Sequence, residues 1–231
     1  MELLIKYLTQ NNITPTPQIL AKFEQFFELL IEWNSKFNLT TITEKDEVII
    51  KHFADSLYGV NFLPQNAFVC DIGAGAGFPS IPLAIVRPDL NFVLVDSLNK
   101  RVNFLNEAVE KLGLTNCKSV HSRAEDLKEN YFEAFDVVVS RAVAYLPTLL
   151  EYCVPYIKVN GFCLFYKAQN IEEEIGLCAK AFKALNCKVE EAHSFTILDT
   201  DYTRCIVKVV KTKSTNPIYP RGQNKPKIQP L

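Results

Sequence analysis

The chain has 231 residues, a formal net charge of −1 and a hydrophobic fraction of 48%. This length suits one α/β domain with a modest extension, and the near-neutral charge restricts any nucleic-acid contact to a local basic patch. The seven cysteines form no Cys-x-x-Cys pair, so we expect reduced thiols in a cytoplasmic protein rather than disulfides or a metal site. No stretch is apolar for long enough to span a membrane.

The first 62 residues predict a helical extension. The Thr-Pro-Thr-Pro segment at 14–17 is a helix start signal, because proline is tolerated in the first helical turn. Apolar residues at helical spacing follow over 20–31, and we expect them to pack against the main domain. A second helix is predicted over 46–61, where His52 is more typical of a packed residue than of a catalyst and Asp55 is a candidate partner for it.

From residue 63 to 210 strands and helices alternate. The strand candidates are 67–71, 92–96, 117–121, 135–140, 161–166, 188–196 and 203–210, and the helix candidates lie near 80–86, 99–112, 146–157 and 171–185. Such alternation predicts a parallel sheet covered on both faces, with right-handed crossovers. The short turn before the last strand predicts an antiparallel hairpin at one edge.

A glycine-rich turn follows the first predicted strand. Asp71 is followed by Gly73, Gly75 and Gly77, and Phe78 stands where a dinucleotide fingerprint requires its third glycine. The pattern Asp-x-Gly-x-Gly-x-Gly resembles the first motif of class I S-adenosylmethionine-dependent methyltransferases. There the acid can face the cationic amino-acid end of the cofactor, and amides opening the next helix can face the ligand. A purely structural turn is the alternative.

Two further strand ends carry polar residues. Asp96 comes about 20 residues after the glycine turn and can accept the ribose hydroxyls, or it can simply cap the next helix. Ala124 and Glu125 follow the third strand, where a backbone amide and a carboxylate could bind adenine, although a solvated charge is an equally simple interpretation of Glu125. The whole pattern predicts a class I, Rossmann-like α/β fold with a seven-stranded sheet.

The segment 211–231 is basic, contains no acid and is rich in proline. We expect it to be a flexible tail without a compact element. It could serve as an arm that binds RNA phosphates, for which Arg221, Lys225 and Lys227 are candidates, or only as a solubilising tail.

Several ordered motifs between residues 19 and 210 resemble the bacterial small-subunit ribosomal RNA guanine-N7 methyltransferases, also called the glucose-inhibited division protein B family. They are Trp-Asn at 33–34, Asn-Leu-Thr at 38–40, Lys-His-Phe-Ala-Asp-Ser at 51–56, the glycine motif through Pro-Leu-Ala at 82–84, Asp-Ser-Leu-Asn-Lys-Arg at 96–101 and Ser-Arg-Ala at 140–142. Ser80 and Ala168 depart from the family, which usually has glycine at both positions.

The resemblance implies methyl transfer from S-adenosylmethionine to N7 of one guanine in the decoding-region loop, within small-subunit ribosomal RNA or an assembling small subunit. It implies cofactor contacts at Gly73, Phe78, Ala124, Glu125 and Arg141, to which fold logic adds Gly75, Gly77 and Asp96. Lys167 joins the three tail residues as a candidate RNA contact. No catalytic residue is implied.

The chemistry agrees with what the sequence lacks. Guanine N7 has a lone pair and no proton, so its methylation requires alignment rather than a general base. The chain has no Pro-Cys pair and no Asn/Asp-Pro-Pro-aromatic motif, which are typical of C5-pyrimidine and amino-group methyltransferases. Arg141 could instead form a structural salt bridge with Asp71 or Glu125. Methylation of another RNA or a small molecule, or a cofactor-binding interaction module without activity, remain alternatives.

Overall fold

A seven-stranded sheet forms the centre of the computed structural model, which describes residues 2–141, 144–168 and 171–231. Its strands are β1 Phe68–Ile72, β2 Asn91–Asp96, β3 Cys117–His121, β4 Phe135–Arg141, β5 Ile157–Ala168, β6 Cys187–Thr196 and β7 Thr203–Lys211. The order is β3-β2-β1-β4-β5-β7-β6. The first five strands in this order are parallel, and β7 is antiparallel to both of its neighbours, β5 and β6. The predicted class I, Rossmann-like fold with an antiparallel edge hairpin is confirmed.

The helices flank the sheet on both faces. They are α1 Glu2–Gln10, α2 Pro17–Lys36, α3 Lys45–Val48, α4 Asp55–Leu57, α5 Ser80–Val86, α6 Asn99–Lys111, α7 Lys128–Tyr131, α8 Leu146–Cys153, α9 Glu172–Gly176, α10 Ala179–Leu185 and α11 Lys225–Ile228. A π-helical segment, Ile49–Ala54, joins α3 to α4. Single 3-10 turns lie at Val60–Phe62, Ala124–Asp126 and Val154–Tyr156.

The N-terminal helices share one hydrophobic cluster with α5, α6 and the sheet face they cover. Thr16 caps α2, because its side chain accepts a hydrogen bond from the amide of Ile19 at 3.3 Å. The apolar stripe of α2 is buried, and the ring of Phe26 stacks with that of Phe104 of α6 at 6.4 Å. The extension is therefore continuous with the core that covers one face of β1, β2, β4 and β5.

The chain after β7 differs from the flexible tail that its composition predicts. Arg221 forms a salt bridge of 2.7 Å with Glu151 of α8, whose side chain is fully buried. Thr148 of α8 donates a hydrogen bond to the carbonyl oxygen of Pro226 in α11 at 3.0 Å. The tail thus supplies the cation that offsets the cost of burying this carboxylate. The tail is thereby held against α8.

Candidate functional site

A cavity of about 530 Å³ opens at the carboxyl ends of β1, β2 and β4, the edge where open α/β sheets bind ligands. Seven of the predicted cofactor residues line it: Gly73, Gly75, Phe78, Asp96, Ala124, Glu125 and Arg141. They come from separate loops, which lie together because the carboxyl ends of neighbouring parallel strands meet at the same edge of the sheet. Gly77, the eighth, does not line the cavity.

The first amides of the glycine loop are bound within the protein. The N–H groups of Gly73 and Ala74 donate to the carbonyl oxygen of Val95 at 2.9 and 3.0 Å. The N–H of Gly75 donates to Asp96 Oδ2 at 3.0 Å. These amides therefore tie the loop to β2 and offer no cradle for a pyrophosphate, unlike a dinucleotide site.

Gly75 and Gly77 are required for different reasons. Both have positive φ, at +58° and +83°. A Cβ at Gly75 would meet only the carbonyl oxygen of Gly73, at 3.7 Å, so the residue leaves open space beside the cavity. A Cβ at Gly77 would lie 2.6 Å from Ile81. Gly77 thus allows α5 to pack against the loop, which differs from the predicted cofactor contact.

Asp96 lies at the end of β2 and is almost completely buried. Its Oδ1 accepts the amide of Leu98 at 2.9 Å, and its Oδ2 also lies 3.5 Å from the guanidinium of Arg101. Leu98, rather than Asp96, is the N-cap residue of α6. A carboxylate has about four lone-pair sites, so Asp96 retains accepting capacity toward the cavity.

The loop after β3 forms the opposite wall. Glu125 is buried and lines the cavity, so it is not a solvated charge. The hydroxyl of Tyr156 donates to the carbonyl oxygen of Ala124 and holds this loop in place. Tyr152 of α8 and Asn224 of the tail complete the wall. Sequence reasoning missed Asn224, because only the docking of the tail on α8 brings it there.

Asp71 does not line the cavity. Its carboxyl group is fully buried, and neither oxygen has a hydrogen-bond partner within the described residues, nor does the hydroxyl of the neighbouring Ser80. Burial raises the pKa of Asp71 to about 7, with part of the rise offset by Ser80 and by the charge of Arg141. The prediction that this acid faces the ligand is therefore wrong.

Arg141, at the end of β4, is held by the N-terminal extension. Its Nη1 donates to the carbonyl oxygen of Lys51 at 3.1 Å and to Asp55 Oδ2 at 2.8 Å, and its Nη2 lies 3.0 Å from His52 Nδ1. The guanidinium also lies over the ring of Phe78, at 5.0 Å. Asp55 is thus its carboxylate partner, in place of the predicted Asp71 or Glu125. Ala142 of the same motif lies outside the described residues.

His52 is a packed residue with both ring nitrogens engaged. Its ring stacks on Phe78 at 4.5 Å, and its Nε2 lies 2.9 Å from the hydroxyl of Thr40. Burial, and then the charge of Arg141, lower the pKa of His52 to about 3. The imidazole is therefore neutral at physiological pH. Asp55 does not pair with it, because Asp55 binds Arg141 and Arg204 instead.

Two of the predicted RNA contacts are bound within the protein. Lys167 forms a salt bridge of 2.7 Å with Glu174 and donates to the carbonyl oxygen of Ala144. Arg221 is engaged by the buried Glu151 described above, so the structure does not present it to RNA. Lys225 and Lys227 are exposed. Two further cations, Arg101 and Arg123, line the cavity.

No helix among residues 2–141, 144–168 and 171–231 is long and apolar enough to cross a membrane. Within the same ranges, no group of three histidine, cysteine or acidic side chains is arranged to hold a metal ion.

The chain resembles known proteins over most of its length. A family model described as rRNA small subunit methyltransferase G, GidB, matches residues 19–202. A protein named ribosomal RNA small subunit methyltransferase G from Lachnoclostridium phytofermentans is 47% identical over 216 residues, which are 92% of this chain and 89% of that protein. Its namesake from Bacillus subtilis is 41% identical, over 97% of this chain and 95% of that protein.

Solved structures share the fold at lower identity. The M. jannaschii TYW2 structure in complex with AdoMet aligns with a TM-score of 0.57 at 17% identity, covering 74% of this chain and 79% of that one. A SAM dependent methyltransferase from Aquifex aeolicus aligns with a TM-score of 0.55 at 17% identity, covering 72% and 94%.

Proposed function

This chain belongs to the rRNA small subunit methyltransferase G family and methylates small-subunit ribosomal RNA with S-adenosylmethionine, and we propose that the cavity at the ends of β1, β2 and β4 is its active site. There the methyl group passes to N7 of one guanine. The observation that carries this assignment is the convergence of the glycine loop, Asp96, Glu125 and Arg141 on one cavity.

The residues present fit S-adenosylmethionine better than a dinucleotide. The cofactor has no phosphate, and the first amides of the glycine loop are already bound to β2. Asp96 would accept its ribose hydroxyls, and the loop at Ala124 and Glu125 would bind its adenine. Gly75 leaves space for the nucleoside. Arg141 would donate hydrogen bonds to the bound cofactor from those N–H groups that have no acceptor within the described residues.

The protein contributes alignment rather than proton transfer. When bound, the cofactor supplies a sulfonium methyl group, which the N7 lone pair can take without losing a proton. His52 is the histidine that lines the cavity, and its neutral ring has both nitrogens engaged. It is therefore not available as a general base, and the reaction needs none. Holding N7 in line with the methyl group is the catalytic contribution of the cavity walls.

Exposed cations beside the cavity suit the ribosomal RNA. Arg101 and Arg123 line the cavity itself, and exposed Lys225 follows Asn224 of the cavity wall directly. Lys227 lies two residues further along, and both lysines belong to α11. We assign these four residues to phosphate contacts, which would place the target guanine over the cavity. The substrate we propose is small-subunit ribosomal RNA, by itself or in an assembling small subunit, in the cytoplasm.

The direct test is transfer of labelled methyl from S-adenosylmethionine to small subunits that lack the modification, with naked small-subunit RNA and assembly intermediates in parallel. We expect label at N7 of a single guanine, and the comparison of the three substrates identifies the form that the enzyme prefers. Normal cofactor binding with no labelled guanine N7 in any of the three substrates would contradict the proposed reaction.

The cofactor site can be tested with a matched pair of substitutions. Gly75→Asp and Gly113→Asp each place a charged side chain at a residue with φ of +58° and open space around a Cβ. The backbone strain is therefore similar, but only Gly75 lines the cavity. We expect Gly75→Asp to abolish S-adenosylmethionine binding in calorimetric titration, and Gly113→Asp to retain it. Equal affinities of the two variants would remove the glycine loop from the site.

The RNA surface can be tested through the salt dependence of binding. Replacing Lys225 and Lys227 by glutamine should flatten the slope of log affinity against log salt by about 1.4–1.8, since each phosphate contact contributes about 0.7–0.9. Cofactor affinity should not change. The matched control replaces the exposed Lys180 and Lys183 of α10 by glutamine, and it should leave the slope unchanged. If both double variants give the same slope of log affinity against log salt, Lys225 and Lys227 of α11 make no phosphate contact.

A further inference from the structure

Thr40 brings a hydroxyl group to the cavity from the loop after α2. It is partly exposed and lines the cavity together with Leu39 and His52. Its backbone is held in place, because Asn34 Oδ1 accepts the amides of both Leu39 and Thr40, at 2.8 and 2.9 Å. The position of this hydroxyl is therefore set by α2 rather than by a mobile loop.

The proton on His52 can be assigned from its neighbours. His52 Nδ1 lies 3.1 Å from the carbonyl oxygen of Lys51, but that oxygen already accepts from Arg141 Nη1 at 3.1 Å. Arg141 is always protonated and can only donate, and its Nη2 lies 3.0 Å from Nδ1, so this nitrogen is assigned as the acceptor. A neutral imidazole carries a single proton, which is therefore on Nε2. That N–H donates to Thr40 Oγ1 at 2.9 Å. The lowered pKa of His52 agrees with the neutral form.

Both lone pairs of the Thr40 hydroxyl are then occupied. Besides His52, the amide of Ile42 donates to Thr40 Oγ1 at 3.1 Å. A hydroxyl has two acceptor sites and one donor, so its remaining capacity is its own hydrogen. No acceptor for this hydrogen lies within the described residues, and the side chain faces the cavity.

We propose that Thr40 is a ligand-binding residue, fixed as a hydrogen-bond donor by His52 and Ile42, which takes an oxygen acceptor of the bound reactants. The chemistry allows two sources of this oxygen, the carboxylate of the cofactor's amino-acid end and O6 of the target guanine, beside N7. A donor fixed in this way would also disfavour adenine, whose amino group replaces O6. The proposal rests on the proposed function for the identity of these ligands.

The experiment compares Thr40→Val, Thr40→Ser and Thr43→Val. Valine removes the hydroxyl at nearly constant shape, serine restores it, and Thr43 is an exposed threonine outside the cavity lining that serves as the control. Cofactor affinity is measured by titration, and kcat and KM by methyl transfer to small subunits. The cofactor titration requires no RNA, so it can be interpreted even if the proposed substrate is wrong.

Two results support the proposal and identify the oxygen. A loss of cofactor affinity of about tenfold or more in Thr40→Val, restored in Thr40→Ser, assigns the carboxylate. Unchanged cofactor affinity with a similar loss of kcat/KM assigns guanine O6. In that case 2-aminopurine at the target position, which lacks O6, should abolish the difference between wild type and Thr40→Val.

The positioning role of His52 is tested in the same assay. His52→Phe retains an aromatic ring against Phe78 but releases the Thr40 hydroxyl from its fixed donor state. The double variant with Thr40→Val should then lose less than the sum of the two single losses. If Thr40→Val changes neither cofactor affinity nor kcat/KM, or if Thr40→Ser fails to restore the affected value, the proposal is overturned.

Discussion

Two buried aspartates near the cavity differ in how their charge is compensated. Asp55, in α4, is 1% exposed, and its two oxygens accept from Arg141 at 2.8 Å and from Arg204 at 3.0 Å. Asp71, in β1, is fully buried and has no hydrogen-bond partner within the described residues. One carboxylate is neutralised by two cations, and the other tends to be neutralised by a proton, since burial raises its pKa to about 7.

The difference shows what each aspartate does for the site. Asp55 connects the N-terminal extension to Arg141 of β4 and Arg204 of β7, so it sets the position of a cavity residue through an ion pair. Asp71 has no hydrogen-bond partner within the described residues, and its charge depends on pH. A buried acid thus positions its neighbours when it is paired with a cation, and it titrates when it is not.

The largest effect is expected from breaking the paired site. Asp55→Ala leaves two largely buried guanidinium groups without their carboxylate, and removing one partner of a buried pair costs about 3–5 kcal/mol. We expect this loss in the free energy of unfolding measured by urea denaturation, together with weaker cofactor binding as Arg141 moves. Asp201→Ala, at an exposed aspartate, is the control and should change stability by less than about 0.5 kcal/mol. Similar costs for the two variants would mean that the ion pairs contribute little.

An intermediate effect is expected from the unpaired site, as a pH dependence. The unfolded chain loses the Asp71 proton near the ordinary pKa of 3.8, whereas the folded protein keeps it to about 7. Between these values the folded state binds more protons, so its free energy of unfolding falls as pH rises, by an amount on the order of a few kcal/mol. The stabilisation from the protonated Asp71 is fully present below the unfolded-state pKa of 3.8 and is lost as the pH rises to the folded-state pKa of about 7.

Asp71→Asn isolates this contribution. The amide does not titrate, so the stability of the variant relative to wild type should rise as pH increases from about 4 to about 7 and be constant outside that window. Any packing cost of the amide shifts the difference by the same amount at every pH. A difference that does not vary with pH would show that the Asp71 carboxyl stays ionised throughout.

The smallest effect is expected from Ser80, which lowers the pKa of Asp71 in part. Ser80→Ala should raise the pKa of Asp71 further and move the upper end of the pH window upward, because an attraction to the carboxylate is removed. Its effect on stability at pH 4 should be below about 1 kcal/mol, since Asp71 is protonated there and the attraction of Ser80 acts on the ionised carboxylate. Carboxyl NMR titration of Asp71 in both proteins measures the shift. An unchanged midpoint would show that Ser80 does not act on Asp71.

Much of the fold and part of the site could be predicted from the sequence. The alternating strands and helices, the glycine turn and the acids after β2 and β3 are local patterns, and parallel strands bring their carboxyl ends to one edge of the sheet. The positions of Asp96 and Glu125 in the cavity follow from those patterns. The cofactor contact of Gly77 stays a prediction. Its positive φ indicates a turn in the sequence, while only the distance to Ile81 shows that the missing side chain makes room for α5.

The amino-acid sequence by itself determined the class of fold, the family and the edge of the sheet where the cavity lies, because periodicity and motif spacing act over short stretches of chain. Only the tertiary structure decided which charges are paired, since Asp55 meets Arg141 from 86 residues away and Arg221 meets Glu151 from 70. For the same reason Asn224 and the Thr40 hydroxyl entered the site unpredicted. Burial and long-range partners decide whether a polar side chain binds a ligand, holds a neighbour or titrates, and neither can be read from local sequence.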